Sequence, residues 1–155
     1  MNTQARLNFY YSFLYPYLSY NVVVWGNTFK THLHPIIIQQ KQIIRLIAGA
    51  NYLAHTNALF HEYEVLKFED IYKYCMSLYM FSAMKKGLYL IEHSINTRNR
   101  NQASSTHHRL STTQHSVSFE GPRLWNQLPQ SLRNIESLYL FKIKLKRHVI
   151  QQYIN

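Results

Sequence analysis

The chain reads as a mainly α protein: a small helical bundle of four or five helices, with a long flexible loop and a basic C-terminal helix. Three observations predict this class. Apolar residues make up 46% of the 155, and only four glycines and four prolines punctuate them, a balance that favours helices over turn-rich sheets. Apolar residues also recur at helical spacing in several segments that end in cap or stop residues. Residues 94–116 (SINTRNRNQASSTHHRLSTTQHS), by contrast, hold only Ile95 and Leu110 as large aliphatic side chains and cannot repay the entropy of ordering themselves. The expected organisation is a helical region over 1–93, this Ser/Thr/Asn/His-rich loop over 94–116, and a Trp-anchored element with the basic helix over 117–155.

Taken in order, residues 4–20 predict a helix in which Pro16 causes a kink or an early stop. The following VVVW, which carries Trp25 as an anchor, is locally strand-like but short, and could equally continue the helix irregularly before the Gly26-Asn27 turn. In LHPIIIQQKQIIRLIAG, Pro35 fits a first helical turn and Gly49 a left-handed cap, which bounds a helix of about three and a half turns. Its wheel puts Ile36, Ile43, Ile44 and Ile47 on one side, and Lys41, Gln42 and Arg45 with Ile38 on the other. A helix starting near Thr56 breaks around Glu64 and Val65. A longer one runs from Phe68 to Lys85, with Glu69 and Asp70 in its first turn, Lys85 in its last and Gly87 as its stop. Its stripe Ile71, Cys75, Leu78 and Phe81 is read as core. After the loop, Phe119, Leu124, Trp125 and Leu128 surround Gly121-Pro122 and Pro129, the pattern of a compact irregular element docked on a core. Ser137 then opens an amphipathic helix with Leu138, Phe141, Leu145 and Val149 on one face and Lys142, Lys144, Lys146 and Arg147 over much of the rest.

Charge separates the two halves of the chain. The whole carries +10, of which the residues up to 84 hold +2 and the remainder +8, so a polyanion or an anionic membrane surface is the class of partner implied. Cys75 stands alone, so no disulfide framework or thiolate cluster is expected. MNTQARLNFYY lacks the pattern of a signal peptide, and an intracellular location, cytoplasm or nucleus, is expected. Residues 9–25 are apolar enough to suggest a membrane span. They are short for one, however, and hold five tyrosines, two serines, Asn21 and Pro16, so a buried helix with ring hydroxyls at the core's rim is the better reading.

Catalytic patterns are missing from the sequence. Two-metal chemistry needs carboxylates held together, but Asp70 is the one aspartate and the six glutamates are scattered; Glu62, Glu64, Glu69 and Asp70 straddle a helix break beside lysines. His32/His34 and His107/His108 have no cysteine at ligand spacing, so no metal site is expected, and no Gly-rich phosphate loop occurs. What remains is a binding surface. Lys41 and Arg45, one helical turn apart, and the collective set Arg98, Arg100, Arg109, Lys142, Lys144, Lys146 and Arg147 could contact phosphates; none belongs to a base-reading motif.

Three segments carry a resemblance: LYPYLSYNVVVWGNT, HPIIIQQKQIIRLIAGANYLAHTNALFHEYEVLKFEDIY, and SFEGPRLWNQLPQSLRNIESLYLFKIKLKRHVI with its G-P-R-L-W-N-x-L-P run followed by F-K-x-x-L-K. In this order they resemble the region immediately after the polymerase palm in reverse transcriptases of non-LTR retrotransposons, especially the jockey-like and chicken-repeat-like groups. The resemblance implies a thumb-side, RNA-directed DNA polymerase fragment truncated before the catalytic palm, whose aspartates and magnesium have no counterpart here. It implies no enzyme activity and no cofactor in this chain. Lys41 and Arg45 would face the template-primer backbone, and Trp125 and Leu128, with Trp25, Phe119 and Phe141 as further anchors, would hold the structure. The partners implied are an RNA/DNA hybrid or RNA bound weakly without sequence preference, the absent palm, and a second copy through exposed apolar surface. The competing expectations are a small basic helical protein on anionic membrane surfaces, and an unstable helical fragment with no function of its own.

Overall fold

The computed structural model describes residues 2–88, 103 and 115–154, and among them helices form and no strand does. The expected loop over 94–116 lies outside the described residues except at 103, 115 and 116. The mainly α bundle expected from the sequence is what forms, with short helical turns added between the longer helices.

Asn2 caps α1 (Thr3–Phe9) by accepting from the Ala5 amide at 2.8 Å. The chain then widens into a π turn over Tyr10–Leu14 before resuming as α2 (Tyr15–Ser19). This differs from the expected kink or stop at Pro16. Proline cannot supply an amide to the carbonyl four residues back; the π turn, in which the Tyr15 amide reaches Tyr10, places Pro16 in the opening turn of α2. Asn21, at φ 49, turns the chain into the single helical turn α3 (Val22–Trp25).

Helix α4 spans Lys30–Ala48, so Pro35 lies inside it and not at its first turn. The helix starts a turn earlier than the proline suggested because only one bond, to the exposed Thr31, is lost near an end whose amides lack helical partners anyway. Gly49, at φ 66, closes it, with the Ala50 amide bonding the Arg45 carbonyl at 2.9 Å. The short helix α5 (Thr56–Glu62) and the long α6 (Phe68–Lys85) follow, the latter with the bounds its charges and Gly87 predicted. The α6 stripe is shifted from the expected one: Ile71 and Phe81 are buried, Cys75 and Leu78 only half so, and Met76 and Met80 are fully covered.

Residues 117–127, expected to be irregular, form α7 (Val117–Gln127) with Pro122 inside it. Gly121 lets this helix come close to α6, since a Cβ there would lie 2.7 Å from the Met80 sulfur. After the short α8 (Gln130–Arg133), α9 (Leu138–Gln151) buries Phe141, Leu145 and Val149 as predicted, whereas Leu138 at its first position is exposed.

The described chain forms two compact units, Met1–Tyr72 with Lys146–Asn155, and Lys73–Leu145. In the first, Tyr10, Ile44, Ile47, Phe60 and Val65 make the core. In the second, three rings do: Phe81 stacks on Phe141 at 4.7 Å, and Trp125 lies 6.5 and 5.8 Å from them. There the Asn126 carboxamide also accepts from the Ala103 amide and donates to its carbonyl, at 2.9 and 3.0 Å.

Candidate nucleic-acid interface

The final helix presents its cations because its other face is fixed. With Phe141 and Leu145 buried, Lys142, Lys144 and Arg147 stand in solvent, and among the described residues none of the three has a carboxylate partner. Lys146 is half-buried, its ammonium 5.7 Å from the centre of the Tyr11 ring. The outward face is mixed, because Tyr139, Leu140 and Ile143 are exposed among the lysines.

On α4, Lys41 and Arg45 have different surroundings. Arg45 donates from Nε to the Ala54 carbonyl at 2.9 Å and lies 5.9 Å from the Tyr52 ring centre, so it braces the loop between α4 and α5. Lys41 is exposed and lines a cleft of about 190 Å³ with Ile37, Gln40, Asn57, Lys67 and Glu69. Arg98, Arg100 and Arg109 lie outside the described residues. Of the anchors, Trp125 and Phe141 are buried, and Trp25, Phe119 and Leu128 are half-buried; Trp25 stacks on Phe68 at 5.4 Å and donates to the Tyr20 carbonyl.

Beside Lys41, the sequence reading missed a polar clasp. The buried Gln40 carboxamide donates to the Tyr10 hydroxyl and the Leu66 carbonyl, both at 2.9 Å, and accepts from the Phe68 amide at 2.7 Å. The next amide, that of Lys67, donates to the Tyr153 hydroxyl at 3.0 Å, and this hydroxyl in turn donates to Asp70 at 2.8 Å. The start of α6 is thus held by residues distant in sequence. Burial pushes the Tyr10 hydroxyl up to about 12; burial and the Asp70 carboxylate raise that of Tyr153 still further. A signal for Gln40 existed: on the α4 wheel it falls in the middle of the isoleucine arc, where a polar residue needs buried partners.

A different surface runs along the N-terminal helices. No charged side chain occurs from Leu7 to Phe29, yet Phe9, Phe13, Tyr17 and Tyr20 are 52, 58, 80 and 79% exposed. Phe9, Phe13, Tyr17 and Tyr20 thus stand exposed in close succession along an uncharged segment.

No helix among the described residues is long and apolar enough to cross a membrane. No family model matches the chain, and neither a curated protein nor a solved structure matches it.

Proposed function

We propose that this chain is the thumb-side region that follows the palm in a non-LTR retrotransposon reverse transcriptase, and that it positions a template-primer duplex through phosphate contacts inside the cell, in the cytoplasm or nucleus. The observation that carries the reading is the set Lys142, Lys144 and Arg147, exposed on one helix whose opposite face is buried and lacking carboxylate partners among the described residues. The G-P-R-L-W-N-x-L-P run that precedes this helix adds the resemblance. In this reading the chain is not itself the catalyst. The magnesium-binding carboxylates belong to the palm, and the exposed rings Phe9, Phe13, Tyr17 and Tyr20 are the face that meets it or, without it, a second copy.

Titration of an RNA/DNA hybrid at several salt concentrations tests the proposal. The chain should bind weakly and without sequence preference. K142Q/K144Q/R147Q should lower the salt slope by up to roughly three while circular dichroism stays unchanged. Salt-insensitive binding, or a folded triple variant that binds like the parent, sinks it. The exposed Tyr139, Leu140 and Ile143 among the cations favour a second reading, an α9 that lies on anionic membrane. Flotation with phosphatidylserine vesicles in the absence of hybrid binding would select it.

A further inference from the structure

We infer that Tyr153 is a latch on the first turn of α6: while its hydroxyl is seated the turn is closed, and when it leaves the turn opens without the rest of the helix. The inference stands apart from the nucleic-acid reading and needs no ligand.

The first turn of α6 has no cap of its own. Lys67 precedes the first helical residue, and a lysine side chain has no acceptor with which to hold an amide. Its carbonyl starts the helix, accepting from the Asp70 and Ile71 amides at 2.9 and 2.8 Å. Asp70 is the third helical residue, the place from which a carboxylate ordinarily reaches back to the amide at the capping position. Here a hydroxyl from 83 residues further along the chain stands between the two. The Lys67 amide donates to Tyr153 Oη at 3.0 Å, and Oη donates to Asp70 Oδ2 at 2.8 Å, so one distant side chain completes the box. The neighbouring Phe68 amide goes to Gln40. Both amides are therefore satisfied by tertiary contacts, and the turn closes only while those contacts last.

Tyr153 is itself lightly held. It follows the end of α9 through turn bonds, from the Gln152 amide to Val149 and from its own amide to Ile150, both at 3.1 Å. It is half-buried between exposed Gln152 and Ile154. Its ring lies edge-on to buried Phe60 at 6.5 Å and under the Lys67 ammonium at 4.1 Å, contacts that aim the hydroxyl at the turn. Burial and the Asp70 carboxylate raise its pKa, so at neutral pH it keeps the proton that it donates. A turn closed by one half-covered side chain belongs to the low-stability end of a fold, where segments open locally.

Hydrogen exchange at single amides, followed by NMR on the full chain at constant pH, tests the latch. Y153F keeps the ring and removes the hydroxyl. The Lys67, Phe68 and Ile71 amides should lose protection together, by roughly tenfold, while those of Ile44 in α4 and Met76 further along α6 hold. D70A should do the same. In Y153F/D70A the loss should be no greater than in the more affected single variant, because both changes cut one relay. D70N keeps an acceptor for the hydroxyl, so protection there should stay within about threefold of the parent. A loss confined to Lys67 would overturn the latch, since the hydroxyl would then serve that amide alone. An equal loss at Ile44 and Met76 would overturn it too, by making Tyr153 a contributor to global stability only. Full protection in Y153F has the same consequence, and should that variant fail to fold, D70A decides through the same amides.

Discussion

The two units solve core formation in different ways. In the first, side chains with hydrogen-bonding groups reach into the interior: Gln40 makes three bonds there, and Tyr10 is 1% exposed with its hydroxyl among them. In the second, ring and thioether surface does the work, with Phe81, Trp125 and Phe141 in mutual contact and Met76 and Met80 at 0% exposure. A ring core gains from area and tolerates small shifts in angle. A polar core depends on every partner being in place, since an orphaned buried donor or acceptor bears its whole desolvation penalty. The first should therefore be selective about geometry, and the second sensitive mainly to volume.

Truncating the ring core should give the largest effect. Trp125→Ala removes the indole from contact with both phenylalanines and should destabilise by about 3–5 kcal/mol. Denaturant unfolding measures it, and a loss under about 1 kcal/mol would deny the ring cluster its role. On the polar side, Gln40→Leu keeps approximate volume yet strands the Leu66 carbonyl, the Phe68 amide and the Tyr10 hydroxyl. A loss of about 2–4 kcal/mol is expected, and a near-neutral result would mean that the clasp is not what orders the start of α6.

Alkali should test the polar core next. Tyr10 ionises at about 12 in the folded chain because burial penalises the phenolate, with Tyr11 adding to the shift and the Gln40 hydrogen bond opposing it; in the unfolded chain it ionises at 10.0. The folded state then holds the extra proton. Stability from this group is intact below pH 10 and falls as pH rises from 10 toward 12, by up to about 2–3 kcal/mol. Tyr153, raised further, extends the loss upward. Phe81, Trp125 and Phe141 do not titrate, although in their unit burial also raises Cys75 and Tyr74. In W125F the fluorescence of Trp25, which lies in the first unit, should change in this window. Trp25 fluorescence that stays constant through it would contradict the Tyr10 shift.

The sequence made visible those features that are set locally. Helix α6 has the bounds that its acidic first turn, basic last turn and Gly87 implied, and the basic face of α9 follows from the spacing of Phe141, Leu145 and Val149. Pro35 and Pro122 misled because a proline is tolerated in the second turn when only one bond near a helix end is lost. For the candidate site, the exposure of Lys142, Lys144 and Arg147 was legible from periodicity. The different surroundings of Lys41 and Arg45 were not, since they depend on where Ala54 and Lys67 come to rest after the chain folds back. No local pattern encodes those contacts.

The smallest expected effect lies within the first unit, where two helices end in the same way with different residues. Helix α4 ends on Gly49 at φ 66, with Gly49 and Ala50 amides bonded to Leu46 and Arg45 carbonyls; α5 ends on Glu64 at φ 50, with Glu64 and Val65 amides bonded to His61 and Phe60 carbonyls. Both have the hydrogen bonds of a Schellman cap, which favours glycine because a Cβ is strained in the left-handed region. At Glu64 the cost is borne because Val65 and Phe60 pack together in the core and the Tyr11 hydroxyl donates to the Glu64 carbonyl at 3.2 Å. Neither contact uses the Glu64 side chain. Glu64→Gly should then relieve roughly 1–2 kcal/mol of left-handed strain, partly offset by glycine's greater freedom when unfolded, for a net gain of about 0.5–1 kcal/mol. Gly49→Ala is the mirror experiment. A Cβ there would meet only the Arg6 guanidinium at an ordinary 3.7 Å, so its loss of about 1 kcal/mol would come from the backbone alone. Opposite shifts of the denaturant midpoint in the two variants, with unchanged slopes, are the expected result. A destabilised Glu64→Gly would mean that the carboxylate itself holds the end of α5, and that the two caps are alike only in their hydrogen bonds.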